Sequence, residues 1–129
     1  MSQKNIMKKY PSIPDLWSGA QARLPRFAFD YLDGGAGDEA GLAYNRAAFG
    51  QVQFVPKYLE QRSAPDTATE MFGRTYAMPF GVAPVGLSGL IWPRAAEYLA
   101  AAAKQENIPF CLSAMATSSI EKIGAIAGE

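Results

Sequence analysis

The chain has 129 residues, 49% of them hydrophobic and 12% aromatic, which is enough for the packed core of one domain. Twelve basic residues balance twelve acidic ones, so the broad positive field that holds nucleic-acid phosphates is absent. Histidine is absent too, and a reaction that needs a histidine base cannot be completed within these residues.

The N-terminal MSQKNIMKKYP has lysines but no apolar stretch of signal-peptide length, and no window approaches a membrane span; a soluble, cytoplasmic chain is expected. Ser12-Ile13-Pro14-Asp15 predicts a helix start, with a capping serine and a proline in the first turn, and the helix runs toward Leu24. Pro25 restarts it. Phe27, Phe29, Tyr31 and Leu32 follow on a short helix that Gly34-Gly35 would end through a left-handed cap. Asp38 can cap a third helix through about Phe49, with Leu42, Arg46 and Phe49 at helical spacings and Gly50 as the stop. Asp30, Asp33, Asp38 and Glu39 flank glycines and helix ends, which favours capping over metal ligation.

Val52–Val55 is a short extended piece cut by Pro56, and Thr67–Met71 and Thr75–Met78 flank Phe72-Gly73-Arg74 as a β-hairpin. From Pro79 the pattern changes to strand, small-residue corner, helix, strand. The apolar run Pro79–Ala83 meets Ala83-Pro84-Val85-Gly86, Pro93 opens an alanine-rich helix, and Phe110–Leu112 is a second buried run. This is a βαβ unit, whose parallel strands put chemistry-bearing loops at their ends. On the crossover helix, Leu99, Ala102 and Ala103 are expected to face the sheet and Glu97, Lys104 and Glu106 the solvent. The single cysteine, Cys111, lies in the second run; it excludes an intrachain disulfide and is expected to be a buried, inert thiol, in keeping with a reducing compartment. The cluster Thr117-Ser118-Ser119 caps a last helix that runs to the end. Two parallel strands cannot satisfy their own edges, so the chain reads as a single incomplete domain: helical leader 1–50, extended segment and hairpin 51–78, first βαβ unit and start of the next helix 79–129. It contains no internal repeat or long linker.

Four blocks in order carry a family resemblance: Leu24-Pro25-Arg26-Phe27 through Gly37-Asp38-Glu39, Asn45-Arg46-Ala47-Ala48-Phe49, Met78-Pro79 through Gly86, and Leu112-Ser113-Ala114-Met115 through Glu121. Together they resemble the N-terminal portion of the FMN-dependent α-hydroxy acid dehydrogenase/oxidase family. Leu90-Ile91-Trp92-Pro93 is similar to the mandelate-oxidising bacterial branch. The resemblance implies an α/β fold, the N-terminal part of a (β/α)₈ TIM barrel preceded by a helical leader and a β-hairpin that covers the barrel bottom. It implies FMN as cofactor and oxidation of a small 2-hydroxy acid of the lactate or mandelate type to the 2-keto acid. The family's catalytic histidine, substrate-binding arginines, flavin-facing lysine and FMN phosphate site come from later strands, so no catalytic residue is expected in this segment and the chain alone would be inactive.

On the matching positions, the resemblance assigns Ala83, Pro84, Val85 and Gly86 to the isoalloxazine ring, where small side chains permit close approach. Ser113 would meet the flavin's carbonyl and imide edge, Tyr31 would bond the substrate carboxylate, and Met115 would form an apolar wall beside the substrate side chain. The full-length parent is expected to be a homo-oligomer with a small-molecule substrate, no nucleic-acid partner and no metal. Two alternatives stay open: a truncated, non-catalytic interaction piece, and another FMN barrel enzyme such as type 2 isopentenyl diphosphate isomerase. The Phe29–Glu39 block speaks against the latter.

Overall fold

The structure, a computed structural model, describes residues 8–60 and 63–128. The chain divides into two compact units, one ending at Pro56 and the other beginning at Lys57.

The first unit carries α1 (Ile13–Gln21), α2 (Arg26–Asp33) and α3 (Ala40–Gly50). Ser12 is the N-cap of α1, and the Asp15 carboxylate reaches back to accept from its backbone N–H at 3.0 Å. The helix ends three residues before Leu24, whose N–H still bonds the Ala20 carbonyl at 2.9 Å. Pro25 then opens α2, because its carbonyl accepts from Ala28 and Phe29 while its missing N–H costs nothing there. Ala28 and Phe29 are buried. Trp17 packs edge-on against Phe29 with ring centroids 5.5 Å apart and donates its Nε1–H to Asp33 at 2.6 Å, so one side chain ties α1 to the middle and the C-terminal end of α2.

The glycines after α2 serve a different purpose from the one expected. Gly34 is extended, with φ −76°, rather than left-handed. Its requirement is space: a Cβ would stand 2.8 Å from the Asp30 carbonyl oxygen, and one on Gly35 2.9 Å from Leu42 Cγ. The left-handed residues come later, Gly37 at φ 61° and Glu39, the N-cap of α3, at φ 63°, while Asp38 supplies the side-chain bond to the Ala40 N–H at 3.2 Å.

The second unit begins with a hairpin of β1 (Thr69–Met71) and β2 (Arg74–Tyr76), antiparallel with Met71 opposite Arg74. The turn is the two residues Phe72 and Gly73, both at positive φ (54° and 74°), as the twist of a two-residue hairpin requires. Arg74, expected in the turn, is already strand. Ala77 donates to the Asn107 carbonyl at 2.9 Å, which joins the hairpin to the turn that precedes the second apolar run.

The two apolar runs meet in parallel at a single bridge, Val82 with Phe110, made by Val82 N–H to Pro109 O at 2.8 Å and Cys111 N–H to Val82 O at 3.0 Å. Around it lie α4 (Ser88–Ile91), α5 (Ala95–Gln105) and α6 (Ile120–Ala127). Ala96, Ala100 and Ile123 form a buried cluster on which Phe110, Leu112 and Ile126 pack. Strand alternation sends Phe110 and Leu112 toward the helices and Cys111 to the other face, where it is exposed; the buried thiol expected from the apolar run is corrected.

Two further expectations change on α5. The helix starts at Ala95 behind Arg94, an N-cap at φ 63°, two residues after Pro93. Its inner face is Ala96, Glu97, Ala100 and Ala103, with Ala102 exposed. Glu97, expected in solvent, is 4% exposed. Alanines at six of the ten positions from 94 to 103 make more than one face apolar, so periodicity could not choose between them. Lys104 Nζ donates to the Ile126 carbonyl at 3.1 Å and holds the end of α6 to α5. At the other end Ser119 caps α6 by accepting from the Lys122 N–H at 3.3 Å. Ser119→Ala should destabilise the fold by about 1 kcal/mol, seen as a lowered thermal midpoint. An unchanged midpoint would show that α6 is held by packing alone.

Candidate functional site

The small residues at the end of the first apolar run form an open strip. Ala83, Pro84 and Val85 are exposed and Gly86 is half-buried. Leu87, at φ 49°, turns the chain into α4 and donates its N–H to the Met115 carbonyl at 3.0 Å. That bond lays the loop after the first run beside the loop after the second. Met115 in turn donates its N–H to Ser113 Oγ at 3.1 Å, so the hydroxyl acts as acceptor there and keeps its own proton to donate elsewhere. Gly89 completes the contact: a Cβ at that position would run into the side chain of Thr117.

The structure therefore brings Gly86, Ser113 and Met115 into one neighbourhood. Met115 is 64% exposed, a flexible apolar side chain at the rim. Tyr31 belongs to the first unit, on α2, and is half exposed while the nearby Phe29 is buried.

Two further residues bear on the loops beside this strip: Ser88, which the sequence reading passed over, and Glu97, which it placed in solvent. Ser88, directly after Leu87, is 3% exposed, and its Oγ has no hydrogen-bond partner among the described residues. It lines a void of about 10 Å³ with Ala83, Val85, Cys111 and Ser113, room for about one water. Glu97 accepts from Arg94 Nε and Lys122 Nζ, each at 2.6 Å, and from Ser118 Oγ at 3.5 Å. Ser118 was expected to cap a helix; its partner is this carboxylate. The Arg94–Glu97 spacing of three is visible in the sequence, but it reads as an ordinary surface pair until Lys122 arrives from α6.

The hydrogen bonds from Lys122 and Arg94 hold the Glu97 carboxyl below its ordinary range against the opposing effect of burial. A carboxyl lowered by folding stabilises the fold above its ordinary titration range, and that contribution is lost as pH falls through the lowered value. Acidification should therefore lower the thermal midpoint more steeply in the native sequence than in Glu97→Gln. Parallel pH profiles for the two would contradict the assignment.

A larger hollow of about 710 Å³ runs between α5, α6 and the second apolar run, with Arg74 and Tyr76 of the hairpin also in its lining. It includes Ser113 but none of residues 83–86, so it lies on the helix side of the strands. The acidic residues of the first unit have local partners: Asp30 pairs with Arg26 at 3.5 Å, Asp33 with Trp17, Asp38 with the Ala40 N–H, and Glu39 with the Gly35 N–H at 3.1 Å. Among the described residues no three His, Cys, Asp or Glu side chains converge as a metal site, and no helix is long and apolar enough to cross a membrane.

Comparison with known proteins agrees on one lineage. The model of the FMN-dependent dehydrogenase family matches residues 20–129. The chain is 43% identical over 103 residues to (S)-mandelate dehydrogenase of Pseudomonas putida, covering 80% of this chain and 26% of that one. It is 38% identical over 114 residues to an L-lactate dehydrogenase of Pseudomonas syringae pv. syringae, covering 88% and 30%. Among solved structures, a mandelate oxidase superposes with a TM-score of 0.82 at 36% identity over 92% of this chain and 35% of its own. A soluble mutant of the Pseudomonas putida enzyme, itself membrane-associated, superposes at 0.78 with 41% identity over 87% and 32%. These neighbours are TIM-barrel enzymes, and the chain aligns with part of each. It spans about a third of the length of the relatives it matches, and by the family match over residues 20–129 it belongs to the FMN-dependent dehydrogenases.

Proposed function

We propose that the chain is the N-terminal part of a (β/α)₈ barrel enzyme that uses FMN to oxidise an L-2-hydroxy acid of the lactate or mandelate type to the 2-keto acid. The observation that carries this reading is the docking of the 83–87 loop on the 113–117 loop through Leu87 N–H and the Met115 carbonyl. It makes one surface from an exposed strip of small side chains and a serine hydroxyl with a proton to give, which is the chemistry a flat ring with a carbonyl edge requires. The residues present thus fit FMN. When bound, FMN would supply the acceptor for the two electrons that leave the substrate.

This chain's share of the work is placement. Ala83, Pro84, Val85 and Gly86 would lie along the ring, Ser113 would donate to its polar edge, and Met115 would wall the substrate's side chain. Tyr31 would donate its phenol proton to the substrate carboxylate. The histidine that the family resemblance assigns to proton removal has no counterpart in this chain, so that step is assigned to a base outside these residues. The 129-residue chain alone should therefore turn over no hydroxy acid. Strongly exposed apolar side chains, among them Phe49, Phe54 and Leu59, support packing against further structure in the working enzyme.

The test is a chimera in which this whole chain precedes the remaining portion of (S)-mandelate dehydrogenase, purified and assayed for FMN per mole of protein. Gly86→Val should place a branched side chain against the ring and cut retained FMN severely, and Ser113→Ala should weaken FMN binding roughly tenfold. Full FMN content in both variants would move the flavin away from this strip.

A further inference from the structure

We infer that Glu97 is a positioning residue for the loop that carries Ser113 and Met115, an inference that rests on the flavin reading given above. The inner face of α5 is otherwise alanine: Ala96, Ala100 and Ala103. A carboxylate on that face costs desolvation and is tolerable because it is paired, so packing alone does not explain it. Its partners explain it better. Arg94 comes from the segment that follows Gly86, whereas Ser118 and Lys122 come from the segment that follows Ser113. One nearly buried group thus ties the far ends of the two loops whose near ends are the proposed flavin contacts.

The loop from Ser113 to Ser118 is then fixed at both ends. At the near end, Met115 donates to Ser113 Oγ and accepts from Leu87. In the middle, Thr117 sits against Gly89. At the far end, Ser118 and Lys122 reach the Glu97 carboxylate, while the Arg94 and Lys122 side chains remain 63% and 56% exposed. Both cations keep access to water, so the directional element is the carboxylate. Releasing it frees the far end of the loop, and the Ser113 hydroxyl, whose direction depends on the Met115 N–H, loses its fixed aim. Glu97 acts on the flavin site through the loop and touches neither flavin nor substrate.

The experiment uses the same chimera and three readouts: the FMN dissociation constant by fluorescence titration, the visible circular dichroism of bound FMN, and the thermal midpoint. Glu97→Gln keeps the shape and removes the charge. It should raise the FMN dissociation constant roughly tenfold, the scale of one charge-assisted hydrogen bond, and should change the flavin dichroism. A lowered midpoint with unchanged FMN affinity and unchanged dichroism would reduce Glu97 to a structural strut and overturn the inference. Should Glu97→Gln fail to fold, Lys122→Met and Ser118→Ala carry the test, because each leaves the carboxylate paired with Arg94. They should shift affinity and dichroism in the same direction, and no shift in either would overturn the inference. Ser113→Ala separates the two claims. If it weakens FMN binding and the Glu97 series does not, this inference alone fails; if Ser113→Ala also leaves FMN binding unchanged, the flavin reading fails and takes this inference with it.

Discussion

Gly81→Ala is expected to be the most damaging small substitution in the second unit. A Cβ there would lie 2.5 Å from the Pro109 carbonyl oxygen and 2.9 Å from Pro109 Cβ. The first obstacle is backbone and cannot rotate away. That same carbonyl accepts from Val82 at 2.8 Å, so moving it pulls apart the one parallel bridge that joins the two apolar runs. Overpacking of this kind costs about 1–3 kcal/mol, and loss of the two bridge hydrogen bonds adds about 1 kcal/mol each. The chimera carrying Gly81→Ala should lose several degrees of thermal midpoint and much of its soluble yield. Gly41→Ala, where a Cβ meets nothing within 4 Å and the residue lies inside α3, should hold or raise the midpoint. If the two variants melt alike, the close approach at Gly81 does not limit stability.

Tyr31→Phe should produce the largest kinetic effect. The substitution keeps the ring and removes the hydrogen bond proposed for Tyr31 to the substrate carboxylate, worth about 1.5–3 kcal/mol where that group is desolvated. The chimera should retain its FMN and lose roughly tenfold to a hundredfold in kcat/KM, since each 1.4 kcal/mol is a factor of ten. Tyr31 is 50% exposed, so loss of the hydroxyl should leave the fold of α2 intact. Loss of flavin or of folding, with unchanged kinetics in the surviving holoenzyme, would make Tyr31 a packing residue.

Much of the local structure was legible because it depends on chemistry confined to a few neighbouring residues. Ser12 with Asp15, Pro25 at the start of α2 and Ser119 before α6 each announce a helix start in their own side chains. The hairpin was legible from Gly73, although its turn is one residue shorter than read, because a two-residue turn tolerates Phe72 at positive φ. What failed was long-range. Whether Glu97 faces water or the interior depends on Lys122, 25 positions away, and the alanines around it give no directional signal. Cys111 was misplaced for a related reason: a three-residue apolar run does not reveal that its middle residue points away from the helices. Ser88 gave no signal either, since a serine between Leu87 and Gly89 reads as a turn. The assignment proposed for 83–86 rests on several blocks matching in order; alone, Pro84 and Gly86 would mark a bend.

The most direct test of the central claim is anaerobic reduction of the purified chimera by L-mandelate and L-lactate, followed as loss of the oxidised flavin absorbance. If residues 83–86 and 113 form the flavin-facing surface and Tyr31 the substrate contact, the protein should carry close to one FMN per chain and bleach fully with at least one of the two acids, while Gly86→Val should arrive largely colourless. A folded chimera that binds no FMN, or one that binds FMN and bleaches with neither acid, would contradict the account.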